Sequence, residues 1–283
     1  MPPASDRRNV LLGILGGLLV GAVAGIAVGS IPRHASTGST GAWQWIFEPS
    51  GQVSYAQQGE DLVLRNIFEF LGVKHPTYID IGAFDPILSN NTYLFYRTGS
   101  QGVLIEPNPE LVPKLRKARP ADVVLEEGIG AKADDEEVDY YLLDGDGQLN
   151  TFSPDQVKLL EARNHVVRGV IKRKLVSINK ILAEYFPGRA PDLFSTDTEG
   201  YDFTILSTLD FTRWRPRVIC VETLQGFALE GEILDLMKAR GYVLRGATFV
   251  NSIFVDEQVL QALEKGPAGT DASTATAASS ASR

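Results

Sequence analysis

The sequence predicts an α/β fold whose mostly parallel sheet is covered by helices on both faces. From Ser54 onward, short apolar segments alternate with segments in which apolar residues recur at helical spacing. Strand, helix and strand at this spacing are typical of parallel strands buried on both faces. About 200 residues are enough to bury one such core.

The elements follow one another along the chain in a regular order. The predicted strands are Thr77–Ile81, Gly102–Glu106, Asp122–Glu126, Val138–Leu143, Leu193–Asp197, Val218–Glu222, Tyr242–Leu244 and Ser252–Val255. The predicted helices are 58–71, 91–97, 109–118, 177–185 and 230–240. Residues 144–176 show a weaker pattern and are predicted to be less regular.

Composition restricts the class of protein. The chain has 283 residues, a net charge of −8 and 44% hydrophobic residues, which is ordinary for one main globular domain. The acidic balance argues against nucleic-acid binding, which requires a basic surface. Cys220 is the only cysteine, so an internal disulfide and a cysteine-based metal cluster are both excluded.

An uncharged segment near the N-terminus predicts a membrane anchor. Residues 10–31 carry no charge, and as a helix they would be about 33 Å long, enough to span a bilayer core. A cleaved signal peptide is the alternative, although its apolar region is usually only about 7–15 residues long. The chain is therefore divided into a tail (1–9), a transmembrane helix (10–31), a linker (32–53), a folded domain (54–258) and a disordered Ala/Ser/Thr-rich tail (259–283).

Glycines recur at every fourth position within this predicted helix. They are Gly13, Gly17, Gly21, Gly25 and Gly29. Such a stripe lets two helix backbones approach closely, and it favours a homodimer or a packed partner helix. The alternative is the general abundance of glycine in membrane helices.

Four of the predicted strands end in an acidic residue: Asp80, Glu106, Asp197 and Glu222. Ligands of open α/β sheets bind beyond the carboxyl ends of the strands. A single acid there is usually a helix cap or a solvated turn, but four acids on one edge indicate a binding site. A carboxylate at the end of the second strand suits a ribose diol, because it accepts two hydroxyl protons.

The loop after the first strand argues against a dinucleotide. It reads Gly82-Ala83-Phe84-Asp85-Pro86 and lacks the glycines of GxGxxG. Gly82 would permit close approach of the backbone to a ligand, whereas Asp85 would repel a pyrophosphate. The expected ligand has a ribose, no pyrophosphate and a positive group, and S-adenosylmethionine meets all three conditions.

Five blocks of sequence resemble the FkbM family of methyltransferases. They are SYAQQGEDLVL (54–64), YIDIGAFDPILSNNTYLFY (78–96), GVLIEPNPEL (102–111), LFSTDTEGYDFTIL (193–206) and RPRVICVET (215–223). The resemblance implies a class I (Rossmann-like) methyltransferase fold with a seven-stranded sheet, S-adenosylmethionine as the cofactor, and hydroxyl groups of sugars, glycans or polyketide-type products as acceptors. Thr196, Thr198 and Ser100-Gln101 depart from the family pattern at positions that affect packing more than charge.

The resemblance also implies roles for individual residues. The cofactor-binding residues would be Asp80, Gly82, Ala83, Glu106, Gly128, Ile129, Asp197 and Glu199. Asp80 and Gly82 would border the methionine part and the ribose. Gly128 and Ile129 would flank the adenine, and Asn90, Asn91 and Tyr201 would line the acceptor pocket.

A hydroxyl acceptor must lose its proton, so a base within hydrogen-bond reach is expected. Asp197 is the first candidate and Glu222 the second. The alternative is that Asp197 only orders the sheet edge and a water. No metal site is predicted, although Asp197, Asp202 and Glu222 would be the set for a divalent ion if one were bound.

Residues 158–174 reverse the local charge, with six basic residues and one acid. Lys172 and Arg173 in this segment would suit an anionic acceptor or lipid headgroups. The alternative is a solvated face beside a helix.

The sequence thus predicts a membrane-anchored, S-adenosylmethionine-dependent methyltransferase that modifies a saccharide or another hydroxyl-bearing acceptor. The donor is made in the cytosol, which favours a cytoplasmic domain. Arg7 and Arg8 before the apolar segment outnumber Arg33 after it, which weakly favours the opposite orientation. The alternatives are a nucleotide-sugar or NAD-dependent oxidoreductase on a similar sheet, and a non-catalytic methyltransferase-like membrane scaffold.

Overall fold

Strands and helices alternate along the part of the chain that the structure describes. The computed structural model describes residues 51–130, 136–225, 228–229 and 231–265. The helices are α1 (Glu60–Phe70), α2 (Tyr93–Arg97), α3 (Val112–Ala118), α4 (Pro154–Glu161), α5 (Ile178–Tyr185), α6 (Asp202–Thr208), α7 (Gly231–Ala239) and α8 (Glu257–Glu264). The strands are β1 (Tyr78–Ile81), β2 (Gly102–Ile105), β3 (Val123–Leu125), β4 (Gly128–Gly130), β5 (Glu136–Leu143), β6 (Val167–Ser177), β7 (Leu193–Thr196), β8 (Val218–Glu222), β9 (Leu224–Gln225), β10 (Ala228–Leu229), β11 (Tyr242–Ala247) and β12 (Asn251–Asp256).

Seven of these strands form one sheet in the order β11-β12-β8-β7-β1-β2-β3. β1 pairs in parallel with β2 and β7, and β3 and β8 extend the parallel part on either side. β12 is antiparallel to both β8 and β11. The dinucleotide-binding order lacks this inserted antiparallel strand. The sheet is the mostly parallel, Rossmann-like arrangement predicted for a methyltransferase fold.

The central strand β1 is buried along its whole length, and its side chains enter two cores on opposite faces of the sheet. Ile79 and Ile81 pack into a cluster that includes Phe194, while Tyr78 packs into a second cluster with Leu104. Alternate residues of a strand point to opposite faces, so helices must cover both. Burying each of the large apolar side chains contributes roughly 1.5–3 kcal/mol.

A second sheet of three strands, in the order β4-β6-β5, contains residues that the sequence analysis placed differently. The predicted strand 138–143 lies in β5, which pairs antiparallel with β6 and takes no part in the main sheet. The prediction of less regular structure over 144–176 was wrong, because this segment contains α4 and most of β6. Ser153 begins α4 by accepting the N–H of Gln156.

The folded domain also extends further than predicted at its C-terminal end. Helix α8 begins at Glu257 and continues to Glu264, inside the segment that was assigned to a disordered tail from residue 259. Asp256 caps this helix by accepting the N–H of Gln258. Leu260, on the helix itself, is buried. The amphipathic pattern of 257–264, which the tail assignment overlooked, accounts for the difference.

The predicted membrane segment falls outside the described residues. Within those residues, no helix combines the length and the apolar character needed to cross a membrane. Residues 10–31, their glycine stripe and residues 266–283 all lie outside this part of the chain.

A fully buried arginine joins the beginnings of the central strands. Arg119 donates through Nε to the carboxylate of Asp122 over 2.7 Å, and through Nη2 to the hydroxyls of Tyr78 and Thr92 over 2.9 Å each. The same carboxylate accepts the backbone N–H of Gly102 over 2.8 Å. These contacts fix the starts of β1, β2 and β3 relative to one another.

Removal of this charge should destabilise the fold strongly. Arg119→Met is expected to lower the free energy of unfolding by about 3–5 kcal/mol, because it leaves the buried carboxylate of Asp122 without its partner. Urea unfolding of the full chain measures the effect. Lys117→Met, at an exposed position of α3, is the control and should change stability by less than about 0.5 kcal/mol. Equal effects of the two substitutions would contradict a structural role for the buried pair.

Candidate functional site

Two adjoining cavities open at the carboxyl edge of the main sheet. The first, here the aromatic cleft, encloses about 510 Å³ of empty space, partly open to solvent, and is lined by Phe84, Tyr140, Phe152 and Tyr201. The second, here the polar pocket, encloses about 470 Å³ and is lined by Gln57, Asp80, Asn90, Asn91 and Asn251. Gly82, Phe84, Gln148 and Asp197 line both cavities, so the two adjoin at this edge of the sheet.

The aromatic cleft is built by the small sheet together with the loop that precedes α4. The rings of Tyr140 and Phe152 lie 4.5 Å apart, and those of Phe152 and Tyr201 lie 6.2 Å apart. A Cβ on Gly128 would lie 2.4 Å from the Phe152 ring. Any larger residue at position 128 would therefore clash with this ring. Gly128 and Ile129 both line this cleft. A cleft lined by aromatic rings suits a planar heterocycle.

Glu106 faces the aromatic cleft from the end of β2. Its two carboxylate oxygens accept backbone N–H groups, one from Phe84 over 2.9 Å and one from Asn108 over 2.8 Å. Burial raises the pKa of Glu106 to about 7. A carboxylate has about four acceptor positions, so Glu106 retains capacity for hydroxyl groups of a ligand.

Gly82 is required at the end of β1 by the backbone itself. Its φ is +81°, and a Cβ there would lie 1.9 Å from the carbonyl oxygen of Asp197. The sequence interpretation assigned this glycine to the approach of a ligand, but the close approach in the structure is that of β1 to the end of β7. The neighbouring Ala83 lines the polar pocket, with its N–H bonded to the carbonyl of Ile105.

Asp80 and Asn90 lie in the polar pocket, with several of their polar atoms already engaged. Asp80 accepts the hydroxyl of Thr92 over 2.8 Å, and burial raises its pKa while Arg119 opposes that rise. Asn90 donates to the carbonyl oxygens of Ala83 and Asp85 and accepts from Arg119. Asn90 therefore shapes the loop that carries the site.

Asn91 and Asp85 have different surroundings. Asn91 lines the polar pocket and donates from Nδ2 to the hydroxyl of Ser195 over 3.3 Å. The carboxylate of Asp85 accepts the N–H groups of Ile87 and Leu88. Asp85 thus closes its own turn, which is the ordinary use of an aspartate at such a position.

A cluster of carboxyl groups follows β7 and β8. Burial and the neighbouring acids Asp197 and Glu199 raise the pKa of Glu222 to about 11. Burial followed by the charge of Glu199 raises the pKa of Asp197, and burial raises that of Glu199 to about 7. Glu222 is therefore protonated at neutral pH and hydrogen-bonds to Asp197, which lines both cavities.

The geometry of this cluster differs from the set considered for a divalent ion. Oxygens of Asp197, Glu199 and Glu222 all lie within 4.8 Å of one another. Asp202 instead accepts the hydroxyl of Thr196 over 2.6 Å and the N–H of Thr198 over 3.2 Å. The third carboxylate beside Asp197 and Glu222 is therefore that of Glu199, where the sequence analysis had named Asp202.

The ionisable residues that line the two cavities are acidic. Within the described part of the chain, neither cavity is lined by a lysine or an arginine. Lys172 lies on the exposed face of β6 with its Nζ 2.7 Å from Asp139, and Arg173 donates from Nε to the carbonyl of Pro107 over 2.7 Å. Neither residue lines a cavity, so the electrostatics of both cavities favour a cationic or neutral ligand.

Several lining residues were missed by the sequence analysis. They are Gln57, Phe84, Tyr140, Gln148, Asn150, Phe152 and Asn251. The Asp-Gly repeat at 144–147 marked a turn just before three of them. Asn251 could have been found only from the strand order, because it begins β12 opposite Glu222 at the end of β8.

The fold and its cavities define a Rossmann-like methyltransferase domain. A family model described as "Methyltransferase FkbM domain" matches residues 80–244. The match covers more than half of the chain, which therefore belongs to the FkbM methyltransferase family, as the resemblance predicted.

Solved structures of several methyltransferases are similar to the chain at low sequence identity. A TehB-like SAM-dependent methyltransferase from Corynebacterium glutamicum is 9% identical with a TM-score of 0.40, over 71% of this chain and 88% of that one. A methyltransferase from Geobacter sulfurreducens is 14% identical with a TM-score of 0.40, over 90% and 98%. 1,6-Didemethyltoxoflavin-N1-methyltransferase from Burkholderia thailandensis, with bound 1,6-didemethyltoxoflavin and S-adenosylhomocysteine, is 10% identical with a TM-score of 0.36, over 90% and 92%. No curated protein matches the chain in sequence.

The carboxyl cluster should make stability depend on pH. A carboxyl group whose pKa is higher in the folded chain binds more protons there, so the free energy of unfolding falls as pH rises between the two pKa values. For Glu222 this window runs from the ordinary value of 4.5 to about 11. Glu222→Gln is expected to flatten the decline between about pH 6 and 9 by up to about 1.4 kcal/mol per pH unit.

Urea unfolding at a series of pH values measures this decline. The control is Glu232→Gln at an exposed position of α7, which should leave the slope unchanged. A wild-type slope that survives in Glu222→Gln would show that Glu222 does not hold the proton.

Proposed function

We propose that this chain transfers the methyl group of S-adenosylmethionine to a hydroxyl group of a saccharide or another hydroxyl-bearing acceptor. The observation that carries the proposal is the meeting, at one sheet edge, of Glu106, the aromatic cleft and a carboxyl cluster without lining lysines or arginines. Such a site suits a ligand with a ribose, a planar base and a positive charge. Membership of the FkbM methyltransferase family supports the same function.

The residues present fit this cofactor. Glu106 would accept the ribose hydroxyls with its remaining acceptor positions, and Ile129 and Phe152 would contact the base. Asp80 and Asp197 would face the positive part of the molecule. When bound, S-adenosylmethionine supplies a methyl group already activated by its sulfonium.

The carboxyl cluster supplies the proton acceptor. Glu222 keeps its own proton and donates a hydrogen bond to Asp197, which leaves Asp197 as the ionised member of the pair. Asp197 lines both cavities. It would take the proton of the acceptor hydroxyl while the hydroxyl oxygen bonds to the methyl group. Burial raises the pKa of Asp197 well above its usual range, which strengthens it as a base.

The surroundings of the basic segment bear on the acceptor. Lys172 is paired with Asp139, and Arg173 holds the carbonyl of Pro107 beside Glu106. A phosphate entering either cavity would meet carboxylates without a lining cation, so the reacting part of the acceptor is proposed to be uncharged.

The membrane attachment and partners are proposed from the sequence alone. Residues 10–31 would anchor the chain in a membrane with the domain on the cytoplasmic side, where the methyl donor is made. The glycine stripe from Gly13 to Gly29 would support a homodimer.

The cofactor assignment is tested by binding. The full chain should bind S-adenosylhomocysteine at micromolar concentration in isothermal titration calorimetry. Glu106→Gln should weaken this binding by about 10- to 100-fold, because a charge-assisted hydrogen bond to ribose is lost.

Glu110→Gln, at an exposed position near Glu106, is the matched control for this substitution. NAD is expected not to bind. Binding of NAD in place of S-adenosylhomocysteine would support the oxidoreductase, and binding of neither would support the non-catalytic scaffold.

The base is tested by methyl transfer from radiolabelled S-adenosylmethionine to a panel of neutral saccharides. Asp197→Asn should lower the transfer rate by about 10²–10⁴-fold, because the amide cannot accept the hydroxyl proton. The exposed Asp235→Asn should retain the wild-type rate. Full activity of Asp197→Asn would exclude Asp197 as the base.

A further inference from the structure

The polar pocket contains a buried hydrogen-bond acceptor without a partner. Asn251 is 2% exposed and lines this pocket. Its Oδ1 has no hydrogen-bond partner in the described part of the chain. Buried polar atoms are nearly always paired, so an orphaned oxygen at a ligand cavity indicates a donor supplied from outside the chain.

The orientation of this amide is set by Glu60. Nδ2 of Asn251 donates to Oε1 of Glu60 over 3.2 Å, and the same oxygen accepts the hydroxyl of Thr248 over 2.6 Å. Glu60 is fully buried, and its other oxygen accepts the N–H of Gln58. Rotation of the amide by half a turn would place two acceptors against each other, so Oδ1 remains directed away from Glu60.

The other polar groups of the pocket define what the missing donor is. Asp80 and Asp197 line the same pocket, and within the described residues no lysine or arginine lines it. An ammonium group has three donors and no acceptor, and its positive charge is stabilised by both carboxylates. A group that presented only a carboxylate or a phosphate to Asn251, Asp80 and Asp197 would be repelled, and a hydroxyl, with a single donor, would leave acceptors unused.

We propose that Asn251 binds the α-ammonium group of the methyl donor through Oδ1, and so recognises the amino-acid end of the cofactor. The inference rests on the proposed function, because it takes S-adenosylmethionine as the ligand. Asn251 precedes the rest of β12 and pairs in register with Glu222. The ammonium would therefore lie beside the same carboxyl cluster that contains the base.

The proposal is tested with two ligands that differ in the amino-acid part. S-Adenosylhomocysteine contains this part, and 5′-methylthioadenosine lacks it. In calorimetric titrations of the full chain, Asn251→Ala should weaken binding of S-adenosylhomocysteine by about 10- to 100-fold. Binding of 5′-methylthioadenosine should change by less than about threefold, since its ribose and base are proposed to lie in the aromatic cleft, away from Asn251.

Asn66→Ala, at an exposed position of α1, is the matched control and should bind both ligands as the wild type does. Equal affinity of Asn251→Ala and wild type for S-adenosylhomocysteine would overturn the proposal while leaving the proposed function intact. Failure of the wild type to bind either ligand would instead count against the proposed function.

A second measurement does not depend on the folding of the variant. The wild-type chain is titrated with desamino-S-adenosylhomocysteine, which lacks only the ammonium group. At least a tenfold loss of affinity relative to S-adenosylhomocysteine is expected. Equal binding of the two ligands would overturn the proposal, whatever the stability of Asn251→Ala.

Discussion

The buried ion pair between Arg119 and Asp122 is the constraint on which the rest of the structure depends. Both side chains are fully excluded from solvent, at a separation of 2.7 Å. A buried pair contributes little net stability but fixes geometry, because either charge alone would be very unfavourable. Here Asp122 holds the starts of β1 and β2 through Tyr78 and Gly102, while Arg119 extends to the loop with Asn90. The pair thereby links the beginnings of the strands to a loop that lines the site at their far ends.

The second constraint is the excess of negative charge at that far end. Burial and neighbouring carboxylates raise the pKa of Asp197 and of Glu222, and burial raises that of Glu199. Within the described residues, neither cavity is lined by a lysine or an arginine. The fold tolerates this unfavourable cluster by keeping Glu222 protonated. A phosphate-binding site needs the opposite arrangement, with backbone N–H groups and cations directed at the ligand. The charge distribution thus separates this site from dinucleotide sites built on similar sheets.

Sequence patterns could predict the acids at the site because parallel strands end at one edge of the sheet. The strand pattern alone therefore places four acids at that edge: Asp80, Glu106, Asp197 and Glu222. Other residues depended on pairings that no local pattern contains. Arg119 resembles a solvated residue at a helix end, and its burial follows from the position of Asp122 in space. The basic character of β6 suggested an anionic partner, because the opposing acids of β5, such as Asp139 beside Lys172, are distant in sequence. The small sheet itself was missed for the same reason.

The direction of β12 connects these observations. In a fully parallel sheet, the residue beside Glu222 at the site would be the last of its strand. Because β12 runs antiparallel to β8, its first residue, Asn251, takes this place instead. Glu60 then fixes the amide from beneath, at the start of α1. One strand reversal therefore sets Asn251 beside Glu222, the hydrogen-bond partner of Asp197. The residue proposed to recognise the donor thus lies next to the carboxyl pair proposed to hold the proton.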